Sequence, residues 1–260
     1  MAILERHDKN AVAHLQMNAP ERLNALSDEM LQALQAQIDV LKDDTSIKAV
    51  ILSGIGKAFC AGHDIRQMTA GRAAADKGQS YFEGLFARCT SVMLGLQQLP
   101  QPVIAQVHGI ATAAGCQLVA SCDLAIASDD CRFGVNGVNI GLFCSTPMVA
   151  LSRNIPRKHA FELLTTGEFM SAPRAAELGL INRAVPAAQL EAETRALADK
   201  IASKLGAAVK VGKEAYYQQL EMPIEEAYAY TSDVIVTNLM QPDTVEGMQA
   251  FIEKRSPDWK

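Results

Sequence analysis

Short apolar runs that each lead into a glycine-bearing loop set the strongest limit on how this chain folds. Ile47 to Leu52, Val103 to Val107 and Leu124 to Ala127 are too short to be buried helices and lack polar alternation. Each therefore reads as a strand covered on both faces. Ala13, Leu15 and Met17 alternate with polar neighbours, the period of a further strand. Between the strands lies helical signal. Ser27 is placed as an N-cap, Asp28 and Glu29 occupy a first turn, and Met30, Leu34, Ile38 and Leu41 recur on one face. A second helix is read over Tyr81 to Leu99, stopped by Pro100 and Pro102, and a third opens at Thr112–Gly115 and runs to Cys122. The segment Thr69 to Gln79, rich in Gly, Ala and charge, reads as a mobile surface loop.

Beyond Ser145 nearly all the signal is helical. Ser171 is placed as an N-cap with Pro173 in the first turn and Gly179 at the end. Leu197, Ile201 and Leu205 recur at helical spacing, and Pro223 and Pro242 start two more helices. The class is α/β, divided into a core over residues 1–190 and a helical region over 191–260. A helical tail on a finished core commonly buries its apolar face against another subunit, so an oligomer is expected.

With 49% hydrophobic residues and a net charge of −5, the 260-residue chain has the material for a full core and no basic stripe. Nucleic acid is therefore not an expected partner. No apolar run reaches a bilayer span, and the opening residues lack an apolar or Arg/Ser-rich leader, so a cytoplasmic protein without membrane partners is expected. Cys60, Cys89, Cys116, Cys122, Cys131 and Cys144 form no C-x-x-C pair and stand at no metal-ligand spacing from a His. They read as reduced core thiols, and no metal is expected.

Chemistry concentrates in two loops, Phe59-Cys60-Ala61-Gly62-His63-Asp64 and Ala113-Ala114-Gly115-Cys116-Gln117. The first follows a strand, and Gly62 allows a turn sharp enough to expose the N–H of His63. The second enters a helix, which places the N–H of Ala114 at a positive helix end. Two such donors aimed at one point stabilise charge on a carbonyl oxygen.

These loops carry a family resemblance. Arg22-Leu23-Asn24-Ala25-Leu26-Ser27, Phe59 to Ile65, Gly115-Cys116-Gln117-Leu118, Phe133-Gly134, Ala175 to Leu180 and Glu246 to Pro257 together resemble the crotonase superfamily, also called the enoyl-CoA hydratase/isomerase family. Within it, Gly141 to Pro147 is closest in pattern to the subgroup called enoyl-CoA hydratase domain-containing protein 3. The resemblance implies a spiral of ββα units (ClpP/crotonase-like) with a C-terminal helical trimerisation region. It also implies a homotrimer or a hexamer built as a dimer of trimers. An acyl-CoA thioester is the implied substrate, with coenzyme A as part of it and no separate cofactor. The oxyanion donors map onto His63 and Ala114, in the setting of Gly115. Arg22, Asn24, Ala25, Leu26, Ala61, Asp64 and Ile65 fall beside the substrate or CoA, and Phe251 and Lys254 at the nucleotide end, across a subunit boundary.

The chain departs from the family at both hydratase glutamates. Their positions hold Gln117 and Gly137. An amide accepts no proton near neutral pH and glycine offers no side chain, so ordinary hydration is disfavoured. Asn136 and Asn139 are the polar residues nearest in sequence to the second position, and Asp76, Tyr81 and Glu83 mark another segment from which a replacement group could come. Asp64 reads as a helix cap, His63 as acting through its N–H, and Cys144 as a packed thiol. Three functions fit: an acyl-CoA enzyme of lyase or isomerase class, a malonyl-type acyl-CoA decarboxylase, and a non-catalytic acyl-CoA-binding protein.

Overall fold

The computed structural model describes residues 2–259, so Met1 and Lys260, the outer limits of the two assigned segments, lie outside the described residues. The chain begins with a hairpin. Strand β1 (Leu4–Lys9) pairs antiparallel with β2 (Val12–Met17) across Asn10 and Ala11, both at positive φ (53° and 58°). Two such residues in succession match the twist of a hairpin. The polar run of β1 carries no alternation, which is why periodicity missed it. As the sheet edge, it has one strand partner.

Helix α1 (Asp28–Asp43) follows, capped by the Ser27 hydroxyl, which accepts from Met30 N–H. Strand β3 (Ala49–Gly54) leads to α2 (Ile65–Gly71) and α3 (Gln79–Gln98). Next come β4 (Val103–Val107), β5 (Ile110–Thr112) and α4 (Ala114–Ser121). The plan repeats with β6 (Leu124–Ser128), β7 (Arg132–Gly134), α5 (Ser145–Asn154) and α6 (Arg157–Thr166). Strand β8 (Phe169–Ser171), α7 (Ala172–Leu178) and β9 (Arg183–Val185) close the core. Two of these late strands lay within a stretch read as helical; at three residues each they are too short to show a period.

One sheet has the order β1-β2-β3-β4-β6-β9, parallel from β2 onward, and a smaller one has the order β5-β7-β8. Successive turns of the chain deliver a strand to the first sheet, a strand to the second and then helix, the expected ββα spiral. Both faces of the larger sheet are buried. Leu15, Val50, Leu52 and Ala105 point into the main core, whereas Val12, Ile51 and Ile104 lie beneath α8 (Leu190–Ala202) with Leu197, Ala198 and Ile201. That double cover explains the unbroken apolar runs.

Of the segment 191–260, α8 is thus seated on the sheet. Helix α9 (Gly206–Gln219) is tied to the core by buried Lys213, whose Nζ donates to Leu96 O and Gln101 O at 3.0 Å and to Asp123 Oδ2 at 2.6 Å. Asp123 also accepts from Tyr217 and from Val103 N–H. Beyond it, α10 (Ile224–Leu239) packs on α9, and α11 (Pro242–Ile252) on α10. These last two helices leave Ile224, Tyr228, Val236, Phe251 and Ile252 exposed.

The expected loop at 69–79 is corrected. Thr69–Gly71 complete α2, Gln79 opens α3, and the residues between form a turn ordered by Asp76, which accepts from Gly78 N–H, Ser80 N–H and the Ser80 hydroxyl.

Asn24 joins the segments below the first loop. It is fully buried at φ 51°, accepts from Ala19 N–H at 2.9 Å and donates to Ile55 O (2.9 Å) and Ala58 O (2.8 Å). Its side chain is therefore a brace within the protein and is not free to face CoA. Removing it strands a buried donor and two carbonyls, so Asn24→Ala should lower stability by about 3 kcal/mol, read from urea unfolding.

Candidate active site

The first loop is stitched on both sides. Cys60 N–H donates to Ile110 O (3.2 Å) and Thr112 N–H to Cys60 O (3.0 Å), binding the loop to β5. Ala61 N–H reaches Leu23 O, and Leu26 N–H reaches Gly62 O at 2.7 Å. Asp64 ends the loop as expected, capping α2 by accepting from Arg66 and Gln67 N–H, while Arg22 pairs with its carboxylate at 3.3 Å.

The second loop is held against the first by missing side chains. A β-carbon on Gly115 would stand 2.2 Å from Cys60 O, and one on Gly62 would stand 2.9 Å from Ala113 Cβ and 3.3 Å from Ala114 N. The peptide carrying His63 N–H therefore abuts the first peptide of α4. Ala113 takes φ 51° and ψ −120°, a conformation that costs a residue with a β-carbon on the order of 1–3 kcal/mol. Its own N–H is anchored to Gly134 O at 2.9 Å. Among the described residues, neither His63 N–H nor Ala114 N–H has an acceptor, whereas Cys60, Ala61, Thr112, Ala113 and Gln117 N–H are engaged.

His63 does more than present its backbone. Its ring stands edge-on to Phe86 (5.4 Å between centroids), and Nδ1 lies 3.4 Å from Leu26 O. A carbonyl accepts only, so Nδ1 carries the proton and Nε2 the lone pair. Burial pushes the imidazole below its ordinary pKa, so it is neutral at pH 7. Nε2 is buried without a partner.

Gln117 is 6% exposed, and its Oε1 has no partner. Helical side chains lean toward the N-terminus, so this residue, three beyond Ala114, covers the turn that carries the free N–H. Gly137 is shut: a β-carbon there would meet Leu142 O at 2.7 Å and Cys144 Sγ at 2.8 Å. The position is thus closed as well as lacking a carboxylate. Cys144 is buried, and desolvation raises its pKa, as for a packed thiol.

Asn139 is exposed and donates to Gly167 O at the end of α6 (3.4 Å), so it braces that turn instead of replacing a carboxylate. Asn136 accepts from the Thr112 hydroxyl at 2.8 Å and so sits beside the second loop. Asp76 serves its own turn, as described above, and Glu83 accepts from Gln79. Ala25 and Leu26 are buried, Ala61 is partly exposed, and Arg22 and Ile65 lie at the surface. Phe251 is 85% exposed, and Lys254, just past the end of the same helix, takes φ 55°. No cluster of three potential metal ligands occurs among the described residues, and none of their helices is long and apolar enough to cross a membrane. The role of Phe86 was invisible in sequence, because only the packing of α3 brings it to His63.

The chain matches the enoyl-CoA hydratase/isomerase family over residues 7–260. It belongs to that family. Among curated relatives, the mitochondrial enoyl-CoA hydratase domain-containing protein 3 of Xenopus laevis is 45% identical over 251 residues, covering 96% of this chain and 84% of that protein. The human counterpart is 44% identical over 250 residues, covering 96% and 81%. Among solved structures, an enoyl-CoA hydratase of Mycobacterium smegmatis aligns with a TM-score of 0.95 at 53% identity, covering 99% of this chain and 98% of that one. Human enoyl-CoA hydratase domain-containing protein 3 aligns at 0.94 with 43% identity, covering 99% and 100%. The crotonase-family fold and the likeness to that subgroup are thereby shown.

Gly115→Ala should cost at least about 2 kcal/mol in thermal or urea unfolding, because the obstacle is a backbone carbonyl that cannot rotate away. The folded state resists protonation of His63, so this residue's stabilising contribution should decline as pH falls below about 6.5, where the unfolded chain binds the proton. His63→Gln should flatten that decline, read from denaturation at about pH 7 and about pH 5.5.

Proposed function

We propose that this member of the family binds an acyl-CoA thioester and polarises its carbonyl oxygen between the N–H groups of His63 and Ala114. One observation carries the reading: two unengaged amides stand on abutting peptides of loops that are tied to β5, Leu23 and Gly134. The dipole of α4 adds to one of them. Donors fixed in this way stabilise an enolate or tetrahedral oxyanion without reorganising, each by about 3 kcal/mol. Arg22, Ala25, Leu26, Ala61 and Ile65 form the approach for CoA. The exposed Phe251 and Lys254 serve the nucleotide end of a neighbouring subunit's ligand in a homotrimer or dimer of trimers. The exposed apolar residues of α10 and α11 support that assembly. A cytoplasmic location is part of this proposal, beside relatives whose names place them in mitochondria.

Ordinary hydration is not the reaction this site favours. Gln117 orients but cannot take a proton, and position 137 admits no side chain, so acid–base help of about 10²–10⁴ in rate is absent. Purified protein should therefore bind butyryl-CoA yet hydrate crotonyl-CoA only very slowly, as followed by loss of the enoyl absorbance. Gln117→Glu should raise that rate. Rapid hydration by the unaltered protein would overturn the reading of Gln117 and Gly137, and failure to bind any acyl-CoA would overturn the thioester assignment.

A further inference from the structure

Both free amides belong to peptide units whose carbonyls are already held. In a planar trans peptide the N–H points opposite to the C=O, so whatever grips the carbonyl also aims the amide. None of the described peptides is cis. For Ala114 the grip is the helix itself, since Gln117 N–H donates to Ala113 O at 3.1 Å. His63 has no helix behind it. Its peptide carbonyl, Gly62 O, instead accepts from Leu26 N–H at 2.7 Å, shorter than the 3.0–3.2 Å bonds that the amides of Cys60, Ala61 and Thr112 make in stitching the loop.

Leu26 meets His63 a second time. Its own carbonyl lies 3.4 Å from His63 Nδ1, and the two residues form an isolated parallel bridge. The anchor is itself fixed. The Leu26 side chain is fully buried in the main core, Ser27 after it caps α1, and Asn24 before it is braced to Ile55 and Ala58.

We propose that Leu26 is a positioning residue which, through its backbone N–H, aims and strengthens the His63 donor. This rests on the thioester reading above and assigns Leu26 a task separate from any contact with CoA. The cause is twofold. Leu26 N–H sets the direction of the Gly62–His63 peptide, and a hydrogen bond at that carbonyl draws electron density from the nitrogen, so its N–H donates more strongly. Bonds linked in this way reinforce one another by about 10–30%.

The test replaces Leu26 by its α-hydroxy acid in the full-length protein, which turns one amide into an ester and deletes the N–H while keeping the buried side chain. Difference infrared spectroscopy then follows saturating butyryl-CoA labelled with carbon-13 at its carbonyl. In the unaltered protein the bound carbonyl should absorb at lower frequency than in free butyryl-CoA. The Leu26 ester should lose about a fifth or more of that shift. A matching ester at Thr112 deletes the bond to Cys60 O, on a peptide that carries neither donor, and should keep the shift. A full shift with the Leu26 ester, or equal loss with both esters, overturns the inference and leaves the thioester reading standing. An unshifted carbonyl, or no binding, in the unaltered protein overturns both. Reinforcement runs in both directions, so a second measurement needs no substitution. By nuclear magnetic resonance, the Leu26 amide proton should lie further downfield with butyryl-CoA than with free CoA, which brings no thioester carbonyl. The same position with both ligands overturns the inference.

Discussion

Everything at this site depends on two backbones approaching more closely than side chains permit. The carbonyl of Cys60 occupies the space that a β-carbon on Gly115 would need, and Gly62 lies just as tightly against Ala113 and Ala114. That contact sets the distance between the loops. It also forces Ala113 into a conformation that an alanine in isolation avoids, and the surrounding bonds to Gly134, Cys60 and Leu23 sustain it. The amides of Cys60, Ala61, Thr112 and Ala113 hold the loops, whereas those of His63 and Ala114 are left without an acceptor.

The rest of the fold serves that approach. The larger sheet presents β3 and β4 in parallel, so the chain leaves both strands at the same end and the loops that follow can meet. Asn24 ties the segment before α1 to the segment before the first loop, while Asp64 ends the loop as a helix cap. Lys213 and Tyr217 bind α9 to Asp123, which directly follows α4. A buried ammonium is tolerated there because two carbonyls and a carboxylate surround it.

On the proposed reading, the site pairs carbonyl polarisation with weak proton handling. The carboxylates nearby have other tasks: Asp64 caps α2 and pairs with Arg22, and Asp76 orders a turn. The polar side chains nearest in the two loops are the amide of Gln117 and the neutral imidazole of His63, and neither offers a carboxylate.

Much was legible in the sequence because it was local. Ser27 and Asp64 as caps, Pro102 before a buried strand, the glycines of both loops and the absence of two glutamates all follow from residue chemistry over a few positions. The resemblance to the family rested on such segments in order. Other features were decided only in three dimensions. Asn24 read as a CoA contact until its buried partners were seen, and Asn139 read as a polar group beside the second glutamate position until it was found on the end of α6. Gly137 read as a position without a side chain, and only the structure shows that Leu142 and Cys144 also close it. The physical reason is the same in each case. Sequence determines which groups a residue can offer and the period of its element, whereas which groups remain unpaired depends on contacts between segments far apart in the chain.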